Sequence, residues 1–275
     1  LIGLLSIGIL AVTAVSLVEV LEIEKVSGGV MIAGILVTFP VLTSTFAYVF
    51  TMDGYMLAVS LAVLAVYMVP KGKAGFVWGG IALAFSMGIY QAYLPIAILL
   101  CVYKVVVILL SDNERKTKVK SIFNHLYMGI IGVVLYYIIM KAALFFQGKE
   151  LGAYQGVQEK TGFSLGMIAE LYKDFVEFIL TGKVLVNNVF SILAFVVIAG
   201  LFAFTVIRLF VQKKLYKSVW FYIVLVALVV ILPIATNVIL VIFPNVSYHA
   251  LMRYQYVVYL LVMVAFVQKY LSFKE

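Results

Sequence analysis

One carboxylate stands alone between two long uncharged stretches near the start of the chain. Residues 26–52 and 54–70 contain no Asp, Glu, Lys or Arg, and Asp53 lies between them. Gly54, which follows it, permits a tight turn, so the two stretches are predicted to form a hairpin with an acid at its tip. In this position a carboxylate is either a catalytic general base or a solvated turn residue.

Arg253 is the second ionisable residue that stands apart. It is the only Asp, Glu, Lys or Arg between Val219 and Gln268. A guanidinium suits the planar, two-point binding of a phosphate, and polar groups at membrane depth are costly and often mark substrate pathways. We therefore predict that Arg253 either holds an anion or anchors the chain at the membrane interface.

Tyrosines and a few polar residues accompany these two charges near the ends of apolar stretches. They are Tyr55, Tyr90, Gln91, Tyr93, Lys141, His249 and Tyr254. Aromatic faces stack against sugar rings, so one acid, one arginine and several tyrosines fit a site for a charged, lipid-linked head group and a polar acceptor. Interfacial tyrosine belts also occur without any function, so a membrane anchor explains each tyrosine taken alone.

Composition places these residues in a membrane protein. The 275 residues are 65% hydrophobic and only 12% charged, with a mean hydropathy of +1.18, whereas a soluble domain is about one quarter charged. The predicted fold class is all-α: a polytopic transmembrane helix bundle that forms a single domain over residues 1–275. The net charge of +8 does not indicate nucleic-acid binding, because basic residues in such proteins concentrate on the cytoplasmic side.

Nine stretches are apolar enough to be predicted as membrane spans, since a spanning helix needs about 20 largely apolar residues. They are residues 1–18, 29–50, 55–69, 75–91, 94–110, 122–145, 184–208, 220–243 and 254–271. The apolar run over residues 74–110 is divided before Pro95, because proline lacks the N–H of a helical hydrogen bond and restricts the residue before it.

The distribution of basic residues orients the predicted bundle. If the side of Lys71 and Lys73 is cytoplasmic, 13 basic residues fall on that side and 6 on the other, with Lys104 inside a span. The positive-inside rule therefore supports the alternation of nine spans. It also places Asp53, Arg253 and the tyrosines together at the outer face.

The longest predicted outer connection, residues 146–183, contains an amphipathic helix. Its apolar side chains recur at helical spacing and are Ile168, Leu171, Tyr172, Phe175, Phe178 and Ile179, while the opposite face is assigned Glu170, Lys173, Asp174 and Glu177. Such a helix is expected to lie in the outer interface, either as a brace or as a lid over a site.

Other features narrow the chemistry. Asn237 follows Pro233 by four residues and is predicted to hydrogen-bond the carbonyls that the proline leaves free. The sequence contains no glycine-rich phosphate loop and no HExxH motif, and its single cysteine, Cys101, lies in an apolar stretch. Neither a metal site nor a cofactor is predicted, and a requirement for a divalent metal stays open.

Three segments in order resemble the Gtr-type membrane glucosyltransferases, which belong to the C-type (GT-C) polytopic glycosyltransferases of bacterial envelopes. Residues 39–55 read FPVLTSTFAYVFTMDGY, residues 58–67 read AVSLAVLAVY and residues 86–93 read SMGIYQAY. The resemblance is best over residues 39–93, and the late outer Arg253 before the last span also fits it.

The resemblance implies transfer of a hexosyl group, and specifically a glucosyl group, from a polyprenyl-phosphate sugar to a cell-envelope or surface glycan. The reaction is expected on the outer face of a multi-pass protein of the bacterial cytoplasmic (inner) membrane. Asp53 is then assigned as general base and Arg253 as the cation that holds the leaving phosphate, with Tyr90, Gln91 and Tyr93 binding sugar. The class usually carries a catalytic acid in its first outer loop. That loop would precede Leu1, so the chain is expected to be an N-terminally truncated fragment.

Two other functions stay open. The same residues would line a pathway in a transporter, such as a flippase of lipid-linked glycans, and a surface polysaccharide polymerase would use similar chemistry. Transporters usually contain paired halves with interrupted helices in corresponding positions, and the sequence contains no such symmetry.

Overall fold

The computed structural model describes residues 1–150, 165–181, 187–243 and 247–271, and every regular element in these ranges is helical. The α-helices are α1 (Ile2–Val20), α2 (Val26–Thr38), α3 (Val41–Phe46), α4 (Met52–Met68), α5 (Gly75–Ile89), α6 (Leu94–Leu110), α7 (Arg115–Gln147), α8 (Leu165–Val176), α9 (Val189–Gln212), α10 (Val219–Thr236), α11 (Val238–Ile242) and α12 (Val257–Tyr270). Short 3₁₀ turns at Gln91–Tyr93, Leu215–Lys217 and Ala250–Tyr256 precede α6, α10 and α12, and a π-helical turn, Glu177–Thr181, follows α8. The predicted all-α class is confirmed.

Within these described ranges, six helical stretches are long and apolar enough to cross a membrane. They are Ile2–Val20, Gln91–Leu110, Arg115–Gln147, Val189–Gln212, Val219–Thr236 and Ala250–Tyr270. Three further apolar helices, α2, α4 and α5, are shorter. Each predicted apolar stretch thus contains a helix, while the count of nine spans stays a prediction. Residues 151–164 of the predicted outer connection and residues 182–186 lie outside the described part of the chain.

Two predicted spans are not continuous helices. The span predicted over residues 29–50 is broken between α2 and α3, because Phe39 has the extended conformation (ψ 126°) that Pro40 imposes on its predecessor. The span predicted over residues 220–243 is broken at Asn237, where α10 ends and α11 begins. The apolar pattern located both spans but did not indicate these two breaks.

Helix α4 lies at the centre of the bundle and packs against α1, α5 and α6. Its Met56, Ala58, Ala62 and Ala65 are completely buried. Helix α5 in turn packs closely on α7, since glycines let the two backbones approach: a Cβ atom at Gly132 would lie 2.7 Å from Leu83 Cδ2. Small residues at helix contacts of this kind are characteristic of membrane bundles.

Charged contacts join several helix ends at one end of the bundle. Lys71 at the end of α4 pairs with Glu19 of α1 at 3.8 Å, and Lys213 after α9 pairs with Asp112 after α6 at 3.2 Å. Glu22, which follows α1, pairs with both Lys104 and Lys269. We call this the basic end. Apart from Lys104, which lies within α6, the residues of these contacts belong to helix ends that the charge distribution had placed on one side.

Candidate functional site

A chain of tyrosine rings marks the opposite end of the bundle, which we call the tyrosine end. Tyr55, at the start of α4, lies 4.8 Å from Tyr90 between ring centroids, and Tyr90 lies 5.0 Å from Tyr93. Tyr93 in turn lies 6.4 Å from Tyr254 in the turn that precedes α12. The structure therefore brings together four of the tyrosines that the sequence singled out, although the last comes from the far end of the chain.

These rings do not all have the same access to a ligand. Tyr93 and Tyr254 are completely buried, and the Tyr254 hydroxyl donates to the carbonyl of Leu36 at 2.6 Å. Tyr55 and Tyr90 are only half-buried. In this conformation Tyr93 and Tyr254 stabilise the turn before α12 from inside the bundle. Tyr55 and Tyr90 present aromatic surface that a sugar ring can reach.

Three predicted site residues lie apart from this chain of rings. The half-buried Gln91 donates through Nε2 to the hydroxyl of Tyr136 on α7. Lys141 is exposed on α7, with its ammonium group 5.6 Å from the ring centroid of Tyr137. His249 is exposed, and within the described residues its imidazole makes no hydrogen bond. Gln91 thus ties the turn before α6 to α7, whereas nothing in the described contacts joins Lys141 or His249 to the other site residues.

Asp53 lies in the first turn of α4 rather than in a loop. Its carboxylate is half-buried and accepts a hydrogen bond from the backbone N–H of Gly54 at 2.9 Å, the one polar contact it makes with described residues. Most of its hydrogen-bonding capacity is therefore unused. The residue stands two positions before Tyr55, at the edge of the chain of rings.

Arg253 is paired with an acid that its sequence neighbourhood does not contain. Its Nη2 donates to Oδ1 of Asp174 on α8, and its Nη1 donates to the carbonyl of Tyr248 at 3.0 Å. The guanidinium also lies over the Tyr248 ring, 4.3 Å from the centroid. Its Nε is buried without a partner among the described residues.

Asn237, at the break between α10 and α11, connects this ion pair to the bundle. Its side-chain amide donates to the carbonyl of Leu171 at 3.1 Å, and its Oδ1 accepts from the hydroxyls of Tyr248 at 3.0 Å and Tyr256 at 3.4 Å. The single hydroxyl hydrogen of Tyr256 is shared between this Asn237 oxygen and Asp174 Oδ2, which lies 3.2 Å from the hydroxyl. Burial and then the charge of Asp174 raise the pKa of Tyr248.

The side chain that approaches the carbonyls near Pro233 is not the one predicted. Proline at position 233 removes the helical partner of the Val229 carbonyl, and the hydroxyl of Tyr172 on α8 lies 3.5 Å from that oxygen and 3.0 Å from the carbonyl oxygen of Val230. The role assigned to Asn237 from the sequence is therefore wrong, because its side chain points to α8. The amphipathic helix binds the proline-disrupted part of α10 directly.

A cleft of about 310 Å³ lies beside the Asp174–Arg253 pair. It is lined by Pro40, Val41, Ser44, Asp174, Glu177, Phe178, Ala250 and Arg253. Two carboxylates, a guanidinium and a serine thus surround a space between α3, the end of the amphipathic helix and the turn before α12. One wall exists because Pro40 ends α2 and starts a new helix there.

Asp174 and Glu177 are the acids of this cleft, and the sequence interpretation assigned both to a solvated helix face. Glu177 is indeed exposed and pairs with Lys173 at 3.8 Å. Asp174, however, follows Leu171 by three residues and precedes Phe178 by four, which places it on the face of these two buried side chains. The position of this acid on the apolar face of the helix could have indicated that a cation from elsewhere in the chain pairs with it.

Comparison with models of known protein families gives a match. The family model described as "Glucosyl transferase GtrII" matches residues 1–267. No curated protein and no solved structure matches the chain.

Proposed function

The chain belongs to the glucosyl transferase GtrII family, and we propose that it transfers a hexosyl group from a polyprenyl-phosphate sugar to a glycan acceptor. The group transferred is glucose, in keeping with the family description. The acceptor is a cell-envelope or surface glycan, and the reaction takes place at the tyrosine end, on the outer face of the bacterial inner membrane. The observation that carries this proposal is the cleft that Arg253 and two carboxylates line.

Arg253 is the group that receives the donor phosphate. Its side chain is 23% exposed, and it borders the cleft. In the absence of substrate, the Asp174 carboxylate accepts the hydrogen bond from the guanidinium that a phosphate oxygen would accept. A donor phosphate therefore binds by displacing Asp174, and two-point hydrogen bonding to a guanidinium favours the doubly anchored phosphate over a single carboxylate contact.

The transfer itself is a displacement with inversion at the anomeric carbon. The acceptor hydroxyl oxygen forms a bond to that carbon while the bond from the carbon to the phosphate oxygen breaks, and the phosphate leaves with the electron pair. Arg253 stabilises the charge that develops on the leaving group. The acceptor proton passes to a carboxylate, for which Asp53 is the assigned base and Asp174 and Glu177 are the alternatives that border the cleft.

The role of Arg253 is tested by measuring transfer rate against donor concentration. Arg253→Lys keeps the charge but loses the planar geometry, so we expect a higher KM for the donor, and Arg253→Gln is expected to raise it further. The KM for the acceptor should change little. Lys73→Gln, which removes an exposed positive charge near the basic end, is the matched control. Equal donor dependence in all four proteins would remove Arg253 from the mechanism.

The role of Asp53 is tested separately by Asp53→Asn in the full-length protein. General-base catalysis contributes roughly a hundredfold to ten-thousandfold, so we expect a loss in kcat of that order with normal expression and membrane insertion. Asp112→Asn, at the basic end, is the control for loss of one acid. A loss of less than about threefold would make Asp53 a helix-terminal residue without a part in the proton transfer.

A flippase of lipid-linked glycans is the second candidate, and the two helix breaks favour it. Discontinuous helices line the substrate sites of many transporters. Here Pro40, at the first break, lines the cleft, and Asn237, at the second, accepts a hydrogen bond from Tyr248, whose carbonyl binds Arg253. Vesicles that contain the purified protein and labelled donor separate the two functions. Glycosyl transfer yields a new glycan detected by mass spectrometry, whereas a flippase moves intact donor across the bilayer.

A further inference from the structure

A second, much more apolar cavity, which we call the groove, lies away from the cleft. It has a volume of about 590 Å³ and is enclosed by α6, α9, α10 and α12. Its walls include Val106, Leu110, Val206, Trp220, Leu228 and Val262. Neither an ion pair nor a carboxylate contributes to this lining, so the groove suits a hydrocarbon rather than a sugar or a phosphate.

The groove has the length of one lipid leaflet. It extends along α10 from Trp220 to Leu232, and at 1.5 Å per residue this separation is about 18 Å. The hydrocarbon core of a bilayer is about 30 Å thick, so the groove reaches from one surface to slightly beyond the midplane. A single acyl chain of an ordinary phospholipid fills such a depth, while a polyprenyl chain is longer than the leaflet.

The mouth of the groove lies at the basic end and is positively charged. Leu215 and Ser218 form part of the lining there, and they alternate along the chain with Lys214 and Lys217, which are both exposed. Lys213 is paired with Asp112 at 3.2 Å, but within the described residues neither Lys214 nor Lys217 has a carboxylate partner. Lysines without a carboxylate partner beside the apolar groove attract a lipid with a negatively charged head group.

We propose that this groove binds one acyl chain of an anionic phospholipid from the leaflet at the basic end, with its head group at Lys214 and Lys217. This site is distinct from the donor site, because a phosphate at these lysines lies at the opposite end of the bundle from Arg253. The lipid fills the space between α6 and the outer pair α9 and α10, and thereby holds these helices against α12. The inference does not depend on the transfer reaction.

The two tryptophans of the chain make a direct test possible. Trp220 lines the groove, whereas Trp78 on α5 lies outside the lining, and both side chains are exposed, Trp220 to 74% and Trp78 to 58%. Trp78→Phe and Trp220→Phe give proteins with one reporter each, for reconstitution into phosphatidylcholine vesicles with increasing fractions of phosphatidylglycerol brominated on its acyl chains. We expect half-maximal quenching of Trp220 at a fraction of brominated lipid roughly tenfold lower than for Trp78, because each surface lysine favours anionic lipid.

Two sets of variants, built in the Trp78→Phe protein, separate a site from general charge attraction. Lys214→Gln with Lys217→Gln should remove the preference of Trp220 for the anionic lipid, while Lys116→Gln with Lys120→Gln, which removes equal charge from the start of α7, should leave it. Val206→Phe with Val262→Phe fills the groove and should abolish selective quenching with both lysines intact. Equal quenching of Trp220 by brominated phosphatidylcholine, or displacement by polyprenyl phosphate at equimolar ratio to protein, would overturn the proposal.

Discussion

Asp174 and Arg253, 79 residues apart in the sequence, form an ion pair that fastens the amphipathic helix α8 to the turn before α12. The positive charge of Arg253 is therefore compensated by an acid, although the sequence contains no other charge between Val219 and Gln268. Both side chains retain partial exposure, 18% for Asp174 and 23% for Arg253. The pair is thus covered enough to be strong and open enough to be exchanged for an anion that enters the cleft.

Removing the competing carboxylate is expected to tighten donor binding. A hydrogen bond to a charged group contributes about 1.5–3 kcal/mol, so Asp174→Asn should lower the KM for polyprenyl-phosphate sugar about tenfold while kcat is kept. Steady-state transfer assays measure both constants. Glu177→Gln, which borders the same cleft but pairs with Lys173, should leave the donor KM unchanged. A collapse of kcat in Asp174→Asn, with KM unaltered, would instead identify Asp174 as the base.

The alternation of helix ends predicts which positions face each side of the membrane. In a Cys101→Ala protein, single cysteines at Tyr48 and His249 should react with an impermeant thiol reagent in intact cells, because both positions are exposed near the tyrosine end. Cysteines at Gly72, Asn113 and Gln212, all exposed near the basic end, should react only after lysis. Labelling of Tyr48→Cys and Gly72→Cys from the same side would contradict both the topology and the outer-face site.

The charged cluster at the basic end predicts a loss of stability in acid. Burial alone would raise the pKa of Glu22, but the hydrogen bonds and charges of Lys104 and Lys269 outweigh it and lower the pKa below its usual value of 4.5. A carboxylate with a lowered pKa stabilises the fold fully above its unfolded-state pKa, and this contribution is lost as the pH falls through the folded-state pKa.

The thermal midpoint in detergent, followed between pH 7 and pH 3, measures this contribution. The wild type should lose stability below about pH 4.5 more steeply than Glu22→Gln does. Glu24→Gln is the matched control, since Glu24 is exposed and has no ion pair with the described residues. Parallel curves for the wild type and Glu22→Gln would show that the cluster does not couple stability to pH.

Two glycines on α7 predict opposite effects of the same substitution. A Cβ atom at Gly132 would lie 2.9 Å from the Cβ of the buried Leu83, whereas a Cβ at Gly129 meets no atom within 4 Å. Gly132→Ala should therefore destabilise the protein by about 1–3 kcal/mol through overpacking, and Gly129→Ala should be neutral or stabilise it by up to about 1 kcal/mol. Denaturation in mixed micelles compares the two. A more stable Gly132→Ala would mean that α5 and α7 are not in close contact.

The sequence by itself determined the class of fold and the placement of its helices. Long apolar stretches can satisfy their backbone only as helices when water is absent, so composition and length were enough to locate nine helices among the described residues. The excess of basic residues predicted which helix ends lie together, and ion pairs such as Lys71–Glu19 join those ends in the structure. Short segments around Asp53 and Tyr90 were also enough to indicate the glucosyltransferase family.

Only the tertiary structure decided which polar groups meet. The partner of Arg253, the bond between Tyr172 and the carbonyls near Pro233, and the link from Asn237 to α8 all join residues far apart in the chain. Sequence periodicity describes one helix at a time, and an ion pair between distant residues depends on how their two elements are packed against each other. The spacing of Asp174 to Leu171 and Phe178 indicated that it lies on the buried face of its helix. The identity of its partner, however, depends on which residue the fold brings next to it, and no local sequence pattern specifies that.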